Sequence, residues 1–280
     1  MTEAVKVGIQ GELGAFSEIA ARQTVGGKIV IVPFASFPQL FEGLKKKEVS
    51  RAVVPMENSL VGSVHENYDL LLNHHFPILR ETKVHVVHCL IGHPNVWFSS
   101  IRHVHSHPMA ILQCKRFLEK HREQFDVIAG YDTAGSVKMI MEENLKDSAA
   151  IAGEHAAVTY GAEILVKDIG DSHENYTRFF LLGKHGTAEE KHLGNKTSIV
   201  FATMNQPGAL ARCLGILSLA KLNLTKIESR PTRDKPWEYL FYADFIGNPT
   251  TSNPAQQAIR ELSRNTTFLK VLGCYVSDVK

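Results

Sequence analysis

Short apolar runs rich in β-branched residues alternate with amphipathic stretches of helical period through the first part of the chain, the order that repeated strand and helix units produce. Residues 5–9 form the first run, followed by a glycine-containing turn and a helical pattern through Ala20 and Ala21. Residues 28–34 predict a second strand, Ser36 caps a helix over 37–47, and 51–54 predict a third strand. That strand ends in a loop, 55–64, in which Ser63 could also cap the next helix. The run at 76–91 is continuous and β-branched, which predicts a strand crossing into a second lobe. Strand and helix then repeat: a strand at 101–105, a helix opened by Ser106 and Pro108 and running through Leu118, a strand at 125–129, and a helix capped by Thr133 to about Glu143. Strands at 149–152 and 163–166 flank a helix over 155–160. This order predicts an α/β architecture with parallel pairing in two lobes, whose cleft is the natural ligand site.

The polar, glycine-containing stretch 183–195 predicts a linker. Beyond it the pattern is a strand (196–203), a helix (207–220), a strand pair (224–230 and 238–246), a helix (254–264) and a last strand (268–276). That βαββαβ order is ferredoxin-like and of a size that often pairs with a copy of itself.

With 280 residues and 44% hydrophobic content, the chain can bury a core and divide into two or three units. Lys and Arg number 31 against 29 Asp and Glu, and a net charge of +2 gives no reason to expect nucleic acid or a membrane surface as partner. Cys89, Cys114, Cys213 and Cys274 are far apart among apolar neighbours, which predicts buried thiols in a reducing compartment. No basic, apolar leader precedes the first strand, and no apolar run approaches the roughly 20 residues of a membrane span. The expected location is cytoplasmic.

Candidate chemistry concentrates at 175–180, where Thr177 and Arg178 put a hydroxyl and a fixed cation side by side on an apolar strand. Alternation places Asn175, Thr177 and Phe179 on one face and Tyr176, Arg178 and Phe180 on the other. Both Thr177 and Arg178 would reach one ligand only if the segment crosses between lobes; a surface Thr and Arg at a strand end satisfy the same pattern. Asn58 and Ser59 are neutral donors suited to an oxyanion, and equally common turn residues. The turn from Gly11 through Gly14 and Ala15 to Phe16 and Ser17 offers backbone N–H groups and a helix dipole to a carboxylate or phosphate. It lacks the GxGxxG spacing, so a dinucleotide fingerprint is rejected. His103, His105 and His107 alternate, but Pro108 bends the last away and no carboxylate lies nearby, so hydrogen-bonded imidazoles are expected rather than a metal site. P-loop, HExxH and GxSxG motifs are absent from the sequence.

Several ordered segments together resemble the bacterial prephenate dehydratases that carry a C-terminal ACT regulatory domain. They are GELGAFSE at 11–18, VVPMENSLVGSV at 53–64, HSHPMAILQC at 105–114, YDTAGSV at 131–137, AAIAGEHAAVTYGAEIL at 149–165 and NYTRFF at 175–180. In the last third, NQPGAL at 205–210 and IESRP at 227–231 match. Glu12, Ala15 and Met56 are mild departures. The resemblance implies a two-lobed, periplasmic-binding-protein-like catalytic domain over 1–185 and a ferredoxin-like βαββαβ ACT domain over 195–280. It implies a cofactor-free lyase that converts prephenate to phenylpyruvate, with L-phenylalanine as feedback inhibitor and self-association through the ACT domains as a dimer or tetramer. Thr177, Arg178, Asn58 and Ser59 would be catalytic; Gly11, Gly14, Ala15, Phe16, Ser17, Ser106, Thr133 and Phe179 would line the substrate. Gly208, Ala209, Leu210, Glu228, Ser229, Arg230 and Pro231 would enclose the effector. Arogenate dehydratases share the scaffold, and a non-catalytic amino-acid-sensing binding protein is the competing class.

Overall fold

The computed structural model describes residues 4–184, 194–232 and 239–277. The chain divides into two compact units, one of Met1–Leu70 with Thr82–Leu181 and the other of Leu71–Glu81 with Leu182–Lys280. Most of the expected linker, residues 185–193, lies outside the described residues.

The chain begins β1 (Val5–Gln10), α1 (Phe16–Thr24), β2 (Ile29–Phe34), α2 (Phe37–Lys46), β3 (Arg51–Asn58), β4 (Gly62–Ser63) and α3 (His65–Asn73), the last of which ends in the second unit. Strand β1 pairs parallel with both β2 and β3, as strand-helix-strand connections require. Ser36 caps α2 as expected, accepting from the Gln39 N–H at 3.4 Å. Ser63 pairs with Glu57 in the short antiparallel β4, two residues before α3 begins at His65. The sheet is completed by β5 (Ile78–His85) and β11 (Tyr176–Gly183), in the order β2-β1-β3-β11-β5.

The run predicted as continuous over 76–91 breaks at residues 86–88, between β5 and β6 (Cys89–Gly92). There the Val86 N–H donates to the Asn175 carbonyl, 2.8 Å, and His88 is turned inward, only 3% exposed. The remaining elements are β7 (His103–Ser106), α4 (Pro108–Gln113), α5 (Lys115–Lys120), β8 (Asp126–Ala129), α6 (Thr133–Glu142), β9 (Ser148–Ala152), α7 (Glu154–Tyr160) and β10 (Glu163–Val166). Their sheet runs β10-β6-β9-β7-β8. Strand β7 is parallel to β8 and β9, but β6 is antiparallel to both β9 and β10, so the expected all-parallel pairing is corrected to a mixed sheet. Strands β9 and β10, joined by α7, run alike with β6 inserted between them. Apolar residues of α6 and α7 cover one face, around Ile91, Ala134 and Val137, while Ala110, Cys114 and Leu118 cover the other with Val104 and Ile151.

Two helix starts differ from expectation by one residue. His107, not Ser106, caps α4, its Nδ1 accepting from Met109 N–H at 3.2 Å; Asp132, not Thr133, caps α6 through Gly135 N–H. The expected single helix to Leu118 is split at Cys114.

In the second unit, β12 (Lys196–Ala202), α8 (Ala209–Leu219), β13 (Leu224–Pro231), β14 (Tyr239–Ile246), α9 (Asn253–Asn265) and β15 (Phe268–Tyr275) form the βαββαβ unit read from the sequence. The sheet order is β13-β14-β12-β15. Both helices bury Cys213, Leu217, Ala258 and Leu262 against Ile199, Phe201 and Phe245. Leu71–Glu81, though early in sequence, packs within this unit: Lys270 Nζ donates to the Leu72 carbonyl at 2.8 Å, and Glu81 is bound by Lys196.

Candidate active site

The end of β3 and the start of β11 meet around Asn58. Its Oδ1 accepts from the N–H groups of Leu60 (3.0 Å) and Val61 (3.2 Å), an Asx turn that fixes the amide. Its Nδ2 faces Asn175 Oδ1 at 2.7 Å, the Tyr176 carbonyl at 3.2 Å and Thr177 Oγ1 at 3.0 Å. Asn175 and Thr177 thus share a strand face, as alternation predicts. From the second lobe, Gln113 at the end of α4 reaches Asn58 Oδ1 through Nε2 (3.3 Å), while its Oε1 accepts from Asn175 Nδ2 at 3.1 Å. His88 Nε2 lies 2.7 Å from the same Oε1. The His88 ring packs edge-on to Phe16, centroids 5.9 Å apart, and burial lowers its pKa from the ordinary value, partly offset by the bond to Gln113.

Three expected donors are already committed. Ser59 Oγ donates to the Glu174 carbonyl (2.8 Å) and accepts from Tyr176 N–H (2.9 Å), so it clamps β11 and is no free oxyanion donor. Asn58 directs its amide hydrogens into β11. Ser106, wholly buried, donates to the Ile151 carbonyl at 2.6 Å and holds the second sheet together.

Arg178 also departs from expectation. It is only 8% exposed, so it is no surface cation, but its guanidinium approaches Glu57 (3.7 Å) and lies 4.6 Å from the centre of the Phe180 ring. Glu57 and Asn58 are neighbours on β3, as Arg178 and Thr177 are on β11. One pair meets on each face, and these contacts do not bring Thr177 and Arg178 to a common ligand. Phe179 is buried on the Thr177 face, 2% exposed.

The turn before α1 is likewise partly committed. Gly11 N–H donates to Phe34 O, Glu12 N–H to Asp132 Oδ2 (2.9 Å), Gly14 N–H to Glu18 Oε2 (2.8 Å) and Ala15 N–H to Glu12 O. This corrects the expectation that Gly11, Gly14 and Ala15 offer amides to a substrate, and leaves that role to Phe16 and Ser17 in the first helical turn. Burial pushes the Glu18 carboxyl up, but Gly14 N–H, Arg22 and His155 together bring it below the ordinary carboxylate range. The turn seats closely on the second lobe. Gly14 has φ +84°, and a Cβ there would lie 2.8 Å from Ala156 Cα. Gly14→Ala is therefore expected to cost about 1 to 3 kcal/mol from the backbone alone, with the clash in addition. Urea unfolding measures this; a wild-type midpoint would show that the two lobes do not close on this turn as described. Thr133 occupies the first position of α6, beside the Asp132 cap.

His88, Gln113 and Asn175 were not among the expected site residues. Gln113 and Asn175 lie inside matched motifs, and a histidine within an apolar strand run is itself a signal, since a buried imidazole needs a partner. In the C-terminal unit, Gly208 (φ +78°) precedes α8 in the left-handed conformation that favours glycine. Ala209 is buried, and Leu210 is partly buried against the core of this unit. Glu228 pairs with Lys226 at 3.0 Å, and Ser229, Arg230 and Pro231 end β13 at the sheet edge.

Comparison with known proteins identifies the family and the fold. The family profile described as Prephenate dehydratase matches residues 7–187, and that of the ACT domain matches 197–263. The Arabidopsis thaliana protein "Arogenate dehydratase/prephenate dehydratase 2, chloroplastic" is 43% identical over 98% of this chain and 73% of its own length. The solved structure of prephenate dehydratase from Arthrobacter aurescens in complex with L-Phe has a TM-score of 0.86 at 30% identity, covering 97% of this chain and 90% of that one. A structure described as GqqA, a novel type of quorum quenching acylase, has a TM-score of 0.86 at 31% identity over 98% of each chain. The fold is that of a periplasmic-binding-protein-like α/β unit with a ferredoxin-like ACT unit. The chain belongs to the prephenate dehydratase family and carries an ACT domain after its dehydratase domain.

Proposed function

We propose that the chain catalyses the decarboxylative dehydration of prephenate to phenylpyruvate, and that L-phenylalanine acts on it through the ACT domain. In that reaction the ring carboxylate leaves as carbon dioxide and its bonding pair enters the ring. The bond from C4 to its hydroxyl breaks, and the departing hydroxide takes up one proton to leave as water. The ring becomes aromatic, so orientation and a hydrogen bond to the leaving group suffice. The observation that carries this reading is Thr177. Its oxygen accepts from Asn58, which leaves its own hydrogen for the departing hydroxyl. A threonine is too weak an acid for full transfer, and a donor role is worth about 10² to 10⁴ in rate. N–H groups at Phe16 and Ser17, and at Thr133, are placed at helix starts suited to carboxylates. Arg178 is assigned to holding Glu57 and β11.

Arogenate is the second reading, supported by the double name of the Arabidopsis relative. Comparing kcat/KM on prephenate, by phenylpyruvate absorbance in alkali, with that on arogenate, by phenylalanine release, decides between them. Acyl transfer is disfavoured: it needs a nucleophile beside a base, whereas the Ser59 and Ser106 hydroxyls donate to carbonyls. No turnover of either acid would sink the dehydratase reading.

For regulation, calorimetry should show L-phenylalanine binding to the full-length chain, weakened by a prephenate analogue by the same factor, about 5-fold to 150-fold, by which phenylalanine weakens the analogue. Binding unaffected by Gly208→Val, whose side chain does not fit φ +78°, would place the effector elsewhere. The full chain is needed because Leu71–Glu81 packs within the C-terminal unit. Self-association through the ACT units, as a dimer or tetramer, is part of the proposal.

A further inference from the structure

The direction of each hydrogen bond around Asn58 follows from backbone groups whose roles are fixed. Leu60 and Val61 N–H groups can only donate, so the atom they reach is Asn58 Oδ1. The other amide atom, Nδ2, faces the Tyr176 carbonyl, which can only accept. Gln113 approaches Asn58 Oδ1 and must present Nε2 there; its Oε1 is then turned to Asn175 and His88. His88 Nε2 therefore carries a hydrogen. The opposite ring atom, Nδ1, is buried without a hydrogen-bond partner among the described residues. A second proton at Nδ1 would leave both a charge and a donor buried without a partner, so the ring is the neutral Nε2–H tautomer.

Bond polarity thus runs in one direction, from His88 to Gln113, from Gln113 to Asn58 and from Asn58 to Thr177. Among the described residues the hydroxyl hydrogen of Thr177 and one amide hydrogen each of Gln113 and Asn175 have no assigned acceptor. Thr177 and Gln113 are bonded to the same Asn58. Turning the Gln113 amide over would set its oxygen against Asn58 Oδ1, two acceptors facing each other, and its nitrogen against the His88 N–H, two donors. The tautomer of one residue and the amide orientation of the other are therefore locked together.

We propose that His88 is a positioning residue of the dehydration site, which as a neutral Nε2–H donor helps hold Gln113 in the orientation that donates to Asn58, the amide that in turn donates to Thr177. The proposal rests on the dehydratase reading for its functional part. Burial lowers the pKa of the ring from its ordinary value, with the Gln113 bond opposing, which favours the neutral form that the geometry requires. Loss of the donor removes the shorter of the two bonds to Gln113 Oε1 and leaves Asn175 Nδ2 alone to hold it, so the amide can shift, and misplacement of a catalytic contact by an ångström costs on the order of 10²-fold.

The test pairs a spectrum with kinetics on the full-length protein. Long-range proton-nitrogen correlation of the histidine rings, with His88 assigned by its absence in His88→Gln, should show a neutral Nε2–H ring. His88→Leu should lower kcat at least about tenfold with KM within about twofold, on whichever acid the wild type turns over. His88→Gln, which restores a donor, should recover most of that loss, a rescue that mere packing against Phe16 would not give. An Nδ1–H or charged ring overturns the proposal. So does wild-type kcat in His88→Leu, or a His88→Gln as slow as His88→Leu with both folded by circular dichroism. If His88→Leu does not fold, the wild-type spectrum and the His88→Gln kcat decide. A wild type that turns over neither prephenate nor arogenate removes the dehydratase reading itself, an outcome distinct from all of these.

Discussion

Thr177→Ala is expected to lower kcat by about 10²-fold or more while KM stays near the wild-type value. A contact made to the departing hydroxyl strengthens as charge develops there, so its loss falls on the transition state and not on substrate binding. Stability should barely change. Asn58 Nδ2 has two hydrogens and three acceptors, so without Thr177 Oγ1 it still has Asn175 Oδ1 and the Tyr176 carbonyl. No buried donor is orphaned, and the expected cost is no more than about 1 kcal/mol. Thr177→Ser keeps the oxygen and should keep most of the rate; Thr177→Val keeps the shape and should behave like alanine. Steady-state kinetics of the three variants separate hydroxyl chemistry from packing. Wild-type kcat in Thr177→Ala would take Thr177 out of the mechanism.

Strand alternation made half of this site legible in the sequence. It put Asn175 and Thr177 on one face, but the strand predicted to stop at 54 runs to Asn58, so Asn58 sits on β3 and not in the loop expected at 55–64. What period and propensity do not contain is which donors are already committed. Ser59, Ser106 and Gly14 have the right chemistry for an oxyanion, yet each is bonded to the protein itself. The reverse holds for Gln113 and His88, whose importance comes from a bond between the end of one helix and the break between two strands. That break was hidden inside a β-branched run that looked continuous. A local departure from a regular element is where function is expected to sit, and here residues 86–88 turn a histidine inward instead of extending the strand. The one-residue errors at Ser106 and Thr133 have a simpler origin, since His107 and Asp132 offer equally good capping atoms next door.

The interior of the C-terminal unit was the least legible part, and it yields the largest expected change in stability. Lys196 and Glu81 are 115 positions apart in sequence, and nothing in either neighbourhood announces that they meet. Lys196 Nζ lies 3.1 and 3.0 Å from the two Glu81 oxygens, and the residues are 3% and 1% exposed. Ser277 Oγ (3.1 Å) and Tyr275 OH (3.4 Å) add donors to the same carboxylate. The desolvation of two ions offsets most of their attraction, so the intact pair need not contribute much net stability. Removing one member is different, because the other charge stays buried. Lys196→Met is expected to destabilise the C-terminal unit by on the order of 3 to 5 kcal/mol, since it removes the cation that faces both Glu81 oxygens. For a unit of this size that corresponds to a fall in Tm of more than about 10 °C. Glu81→Leu combined with Lys196→Met removes both charges and should recover much of the loss, so the double variant should melt above the single one. Calorimetric melting of wild type, single and double variants closes the cycle. A Lys196→Met that melts with the wild type would mean that the Glu81 carboxylate is hydrated or otherwise compensated, and that this pair does not hold Leu71–Glu81 to the β12 sheet.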